Sequence, residues 1–250
     1  MRQYPIEVRH SGQAIRGTVY RPSHDRRGPA MLMLHRFTGQ RTETGFLFVT
    51  LARALVEQDV AVVTFDFLHS GESDGSFDQM LPTGELADAQ RMTRWMLAQP
   101  WVDRKRVGLL GFSLGGLVAA CLTARIDIFS GLILLAPTTS QNLCRHADGL
   151  TEGESLVMGP HRLHPGIFDD AMQLDAVADV AKNPRPTLLI QGTGDKAVTP
   201  QVSQAFVDAM RAAGIDVEHD LIDGADHGFN HAEWRDRLVE RVTTWTRSHL

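Results

Sequence analysis

Two cysteines, Cys121 and Cys144, are all that 250 residues contain, which excludes a disulfide framework. Basic charge is also short, with 25 Lys and Arg against 30 Asp and Glu and a formal net charge of −5. That balance offers no basic footprint for nucleic acid and no polybasic stripe for a membrane surface, so neither partner is expected. No apolar run approaches the roughly 20 residues of a membrane span. The opening stretch Met1-Arg2-Gln3-Tyr4-Pro5-Ile6-Glu7 lacks the apolar core of a signal peptide, and a cytoplasmic location is expected. No internal repeat, low-complexity tract or second domain is visible. A chain of this length can bury one sizeable core, so a single domain over 1–250 is expected. A homodimer stays open.

What the chain does have is alternation. Ile6–Val8 and Ile15–Tyr20 are β-like runs separated by Ser11-Gly12-Gln13, which predicts a hairpin. Apolar runs at Ala30–Leu34, Val60–Phe67, Val107–Phe112, Gly131–Ala136, Thr187–Gly192 and Val217–Ile222 read as further strands. Most carry no charge, the pattern of strands covered on both faces. Helical periods lie between them. Phe48, Leu51, Ala52, Leu55 and Val56 share one face, as do Leu86, Ala89, Met92 and Met96, and Trp234, Leu238, Val242 and Trp245 mark a final amphipathic helix. Strands alternating with helices predict an α/β architecture: a mostly parallel, doubly wound sheet with an antiparallel N-terminal hairpin. Residues 138–182 break the rhythm, with a weak helical pattern only near Asp169–Val180. They read as a small lid insertion, since loops that long in compact domains are usually functional.

The organising stretch is V-G-L-L-G-F-S-L-G-G-L, Val107–Leu117. A strand runs into Gly111-Phe112-Ser113-Leu114-Gly115, a G-x-S-x-G turn, and a helix follows with Leu114, Leu117 and Val118 along one side. A serine on so sharp a turn is exposed above the sheet, and a serine hydroxyl needs an imidazole to take its proton. The imidazole needs a carboxylate to fix its tautomer. In a doubly wound sheet such groups collect in the loops after the carboxyl ends of strands. Asp195 lies in one of these loops, G-T-G-D, and His227 in another, G-A-D-H-G. Asp223 and Asp226 are rival carboxylates, although turn capping suits them better. His35-Arg36-Phe37 follows the Ala30–Leu34 strand, where His35 is expected to brace the loop. His69 reads as a brace too. His161 and His164 stand three apart without a third ligand motif, so no metal is expected.

These residues carry a resemblance. His35-Arg36-Phe37-Thr38-Gly39 with Thr42-Glu43, Asp66-Phe67-Leu68-His69-Ser70-Gly71-Glu72-Ser73-Asp74-Gly75, the G-x-S-x-G-G turn, Gly192-Thr193-Gly194-Asp195 and Gly224-Ala225-Asp226-His227 together make the chain resemble an α/β-hydrolase over nearly its whole length. Within that superfamily it is similar to the small serine esterases of the feruloyl (cinnamoyl) esterase type. The resemblance implies Ser113 as nucleophile, His227 as base, Asp195 as acid, and the backbone N–H groups of Phe37 and Leu114 as oxyanion hole. It implies hydrolysis of carboxylic esters of small molecules, aryl or hydroxycinnamoyl esters among the candidates, with no cofactor and no metal. Thioester, peptide and C–C hydrolysis use the same triad, and a non-catalytic ligand-binding protein on this fold is the alternative outside enzymes. Two departures stand out: the family usually has Gly where this chain has Arg36, and Gly where it has Ser70. A side chain in place of glycine beside the oxyanion hole either distorts the hole or brings its guanidinium to an anionic substrate or product, and the second is the reading adopted. Met158, Leu163, Ile167, Phe168 and Met172 are read evenly as acyl contacts or as packing of the insertion.

Overall fold

The computed structural model describes residues 1–145 and 156–250; residues 146–155 of the expected insertion lie outside the described residues. The hairpin forms from β1 (Arg2–His10) and β2 (Gln13–Arg21), turning at Ser11 and Gly12, both of positive φ. Then come β3 (Gly28–Leu34), α1 (Leu47–Glu57), β4 (Ala61–Phe65), α2 (Pro82–Leu97), β5 (Val102–Phe112), α3 (Leu114–Thr123) and β6 (Gly131–Leu135). Between β6 and the next long strand lie α4 (Ser140–Arg145), a short antiparallel hairpin of β7 (Leu156–Met158) and β8 (His161–Leu163), α5 (Ile167–Ala171) and α6 (Ala176–Val180). The chain closes with β9 (Thr187–Gly192), α7 (Pro200–Ala212), β10 (Val217–Ile222) and α8 (Ala232–His249).

The main sheet has eight strands in the order β1-β2-β4-β3-β5-β6-β9-β10. Every pairing from β4 to β10 is parallel, and the hairpin joins antiparallel through β2. Parallel strands joined by helices need both faces covered. One face packs Phe48, Leu51 and Leu55 of α1 with Leu238, Val242 and Trp245 of α8. The other packs α2, α3, α6 and α7 through Met92, Met96, Leu117, Val180, Phe206 and Met210.

Three elements differ from the sequence reading. β5 starts at Val102 rather than Val107, because Val102 pairs with Gly28 before a register shift, and the charged residues 103–106 point outward. Every residue of α3 is buried, not one side of it, because α2 and α6 cover the face turned from the sheet. The stretch after β6 is more regular than expected. Its three-residue strands are too short to show alternation, and Gly159 with positive φ supplies their turn.

α2 carries two acids into the interior. Asp88 accepts from the Leu68 amide at 2.8 Å and from Arg91 at 2.8 Å, yet burial pushes its carboxyl up to about 6. Burial, with Asp88 adjacent, pushes Glu85 well above the usual carboxylate range. For Asp88 the folded chain holds its proton more tightly than the unfolded one. The stability this supplies is complete below the ordinary carboxylate range and lost as pH rises through about 6. Asp88→Asn is expected to flatten that decline, worth up to about 3 kcal/mol. Urea midpoints at pH 4 and pH 7 check it: an unchanged difference between them would refute the assignment.

Candidate active site

Ser113 sits where β5 stops and α3 starts, at φ 55 and ψ −115, outside the regions open to L-residues. The turn is held from several sides. Its N–H donates to Leu135 O at 2.9 Å, and its carbonyl accepts from Gly116, Leu117 and Thr138. The neighbours must be glycine: a Cβ on Gly111 would lie 2.2 Å from Gly115 O, and one on Gly115 would lie 2.2 Å from Leu34 O.

His227, in the loop after β10, places Nε2 at 3.0 Å from Ser113 Oγ and Nδ1 at 2.7 Å from Asp195 Oδ2. A carboxylate only accepts, so Nδ1 carries the ring proton and Nε2 is left to accept from the serine hydroxyl. Asp195 is nearly sealed from solvent, at 3% exposure. Its Oδ1 accepts from the Ala197 and Val198 amides, both at 2.9 Å. Asp223 instead accepts from Thr193 Oγ1, tying its loop to the one after β9, and Asp226 accepts from the Asn230 amide and side chain within its own turn. The three residues expected from the sequence are thus brought together, and the rival carboxylates are not.

Phe37 and Leu114 lie beside Ser113, and among the described residues neither backbone N–H has a protein acceptor. Both border a cavity of about 210 Å³ that also contains Ser113 and His227 and is walled by Thr138, Asn142, Leu143, Met158, Ala197 and Val198. Of the side chains read as acyl contacts or packing, Met158 lines this cavity. Leu163 and Ile167 are core, Phe168 packs against the core, and Met172 is half exposed. Arg36 lines the cavity as well, but its guanidinium is engaged. Nε lies 3.2 Å from Glu43 Oε2, Nη2 donates to Thr44 Oγ1, and the group sits 5.9 Å over the Phe112 ring. The cation therefore meets a carboxylate of its own chain.

The other histidines stay apart from this relay. His35 is fully buried, with Nδ1 donating to Arg36 O at 2.9 Å and Nε2 accepting from the Phe67 amide at 3.2 Å; burial lowers its pKa. His69 packs over Gly75, where a Cβ would lie 2.0 Å from its Nδ1. His161 packs on Phe77, and His164 Nδ1 accepts from the Gly166 amide. Among the described residues no three His, Cys, Asp or Glu side chains are grouped to hold a metal, and no helix is long and apolar enough to cross a membrane. Burial raises the Cys121 thiol to about 12, which leaves it protonated and inert.

Sequence reasoning missed two supports. Asn142 donates to Thr138 Oγ1 and Ala197 O, tying α4 to the loop that carries Asp195. Gln191 donates from Nε2 to Asp195 Oδ2 at 3.2 Å, to Gly192 O and to Val198 O. Its signal was available: it is an amide near the end of an otherwise apolar, wholly buried strand. Gln191→Leu is expected to lower kcat about 10-fold while KM holds, since an orienting hydrogen bond is lost. Full activity in that variant would show that the backbone amides alone fix Asp195.

The fold is that of an α/β-hydrolase, and the chain is a hydrolase of that superfamily. It belongs to the prolyl oligopeptidase family, whose sequence profile matches residues 48–250. Among solved structures it is similar to Est1E from Butyrivibrio proteoclasticus with ferulic acid bound, at a TM-score of 0.86, 22% identity and 98% of each chain covered. It is 23% identical over 274 residues to an uncharacterized 31.7 kDa protein of the traX-finO intergenic region of Escherichia coli, covering 92% of this chain and 94% of that one. It is also 26% identical over 132 residues to thiohydrolase aneE of Aspergillus aculeatus, covering 51% of this chain and 40% of that one.

Proposed function

We propose that the chain hydrolyses carboxylic esters of small molecules through an acyl-enzyme on Ser113. One observation carries the reading: a single imidazole bridges Ser113 Oγ and Asp195 Oδ2 at 3.0 and 2.7 Å. Ser113 Oγ attacks the ester carbonyl as its proton passes to His227 Nε2, and Asp195 stabilises the imidazolium. The oxyanion lies against the N–H groups of Phe37 and Leu114, each worth on the order of 3 kcal/mol in the transition state. His227 then gives its proton to the leaving alkoxide. Water repeats the attack on the acyl-serine, and the acid leaves with Ser113 restored.

The cavity favours a compact acyl or aryl group. About 210 Å³ falls below the roughly 300–1,000 Å³ of sites for drug-sized ligands. Its walls are mostly apolar, and the similarity to a protein that binds ferulic acid supports aryl esters. The family's name and the thiohydrolase relative keep amide and thioester bonds in view, because the same relay can cleave either.

The test measures p-nitrophenyl butyrate, a butyryl thioester and a dipeptidyl p-nitroanilide in parallel, with fluorophosphonate labelling of Ser113. Ester turnover is expected to lead, and labelling to vanish in Ser113→Ala. A faster anilide would make the enzyme a peptidase. No turnover and no labelling would make it a ligand-binding protein.

A further inference from the structure

The loop from His35 to Phe46 contains a residue that the relay does not explain. Glu43 has φ 57 and ψ 167, a region that is essentially glycine-only. Its side chain is wholly buried. A carboxylate held at a strained position and out of water persists only where its surroundings over-determine it. Here Oε1 accepts from the Arg36 N–H at 2.8 Å, and Oε2 accepts from the Thr44 N–H at 3.2 Å.

We infer that Glu43 is a positioning residue for the oxyanion hole and that Arg36 is its charge partner; the inference rests on the ester hydrolysis proposed above. The Arg36–Phe37 peptide is planar and trans, so the direction of its carbonyl sets the direction of the Phe37 N–H. The carbonyl is fixed by two donors, His35 Nδ1 and the Gly39 amide, both at 2.9 Å. Glu43 fixes the other end of the same residue through the Arg36 N–H. With both ends held, the Phe37 N–H is turned away from its carbonyl's donors and left without a protein acceptor beside the Ser113 cavity.

The cost of this arrangement is a negative charge close to where an oxyanion must form. Arg36 removes it: its guanidinium lies against Glu43 at 3.2 Å and is steadied by Thr44 Oγ1 and the Phe112 ring. The carboxylate then serves as a rigid double acceptor without opposing the transition state.

The test compares Glu43→Gln, Glu43→Ala, Glu43→Gly and Arg36→Gln for kcat, KM, melting temperature and inhibition by a butylboronic acid, which forms a tetrahedral adduct on the serine. Glu43→Ala and Glu43→Gly are expected to lose about 100-fold in kcat, with KM within about 2-fold and boronate binding weakened in step. Glu43→Gln keeps one acceptor and is expected to lose about 10-fold, as is Arg36→Gln, which leaves the carboxylate uncompensated. Glycine relieves the backbone strain, so Glu43→Gly is expected to melt above Glu43→Ala with equally low kcat. A purely structural role predicts the opposite, activity rising with melting temperature, and that result would overturn the inference. Should Glu43→Ala fail to fold, wild-type kcat in Arg36→Gln would overturn it as well. Wild-type turnover separates the two readings: its absence refutes ester hydrolysis and this inference with it, whereas turnover that survives intact in Glu43→Ala refutes this inference alone.

Discussion

Ser113→Ala is expected to cut kcat on p-nitrophenyl esters by about 10⁵–10⁶-fold and leave substrate affinity near that of the wild type. The cavity walls do not depend on the hydroxyl, whereas the acyl-enzyme cannot form without it. Asp195→Asn is expected to cost about 10⁴-fold. Its amide can donate to His227 Nδ1, now 2.7 Å from a carboxylate oxygen, and a ring that accepts there must carry its proton on Nε2. The imidazole then faces Ser113 Oγ as a donor instead of a base. Steady-state kinetics with active-site titration distinguishes the two variants: Ser113→Ala gives no burst, while Asp195→Asn gives a slow one. Activity within 10-fold of wild type in Ser113→Ala would place the nucleophile elsewhere.

Much of this site was legible before any coordinate, because its parts lie where the strand pattern changes. Uncharged runs such as Ala30–Leu34 and Val107–Phe112 end abruptly in polar or glycine-rich turns, and in a parallel sheet those turns share one edge. Ser113 and Asp195 each occupy such a turn and His227 follows the more polar edge strand Val217–Ile222, so their convergence follows from topology. The glycines around Ser113 were legible from the G-x-S-x-G spacing itself, because a strand-to-helix turn that sharp leaves no room for a Cβ against the neighbouring strand or helix. What stayed hidden was contact between residues that no local pattern couples. Gln191 reads as an odd amide in a strand until Asp195 is seen above it. Arg36 reads as a free cation until Glu43 is found beneath it, an internal partner that no local pattern announces. The short strands β7 and β8 escaped because three residues cannot establish a period.

Gly115→Ala is expected to be among the most damaging single methyl groups, alongside Gly111 and Gly192, whose added Cβ would also lie 2.2 Å from a backbone oxygen. At Gly115 the Cβ would lie 2.2 Å from Leu34 O and 2.5 Å from His35 O, both backbone atoms that no rotamer change can move. α3 would have to retreat from β3, carrying Ser113 away from His227 and opening a gap under Leu117 and Val118. Overpacking against fixed backbone followed by loss of core contact is expected to cost about 3–5 kcal/mol. Gly84→Ala is the control, since its Cβ meets nothing within 4 Å and the position lies in the first turn of α2. There the added methyl group is expected to stabilise by about 0.5–1 kcal/mol through reduced chain entropy. Urea midpoints of the two variants should move in opposite directions with unchanged slope. A Gly115→Ala protein as stable as wild type would mean that α3 and β3 are not in close contact. The serine turn would then owe its geometry to something other than the approach of helix to strand.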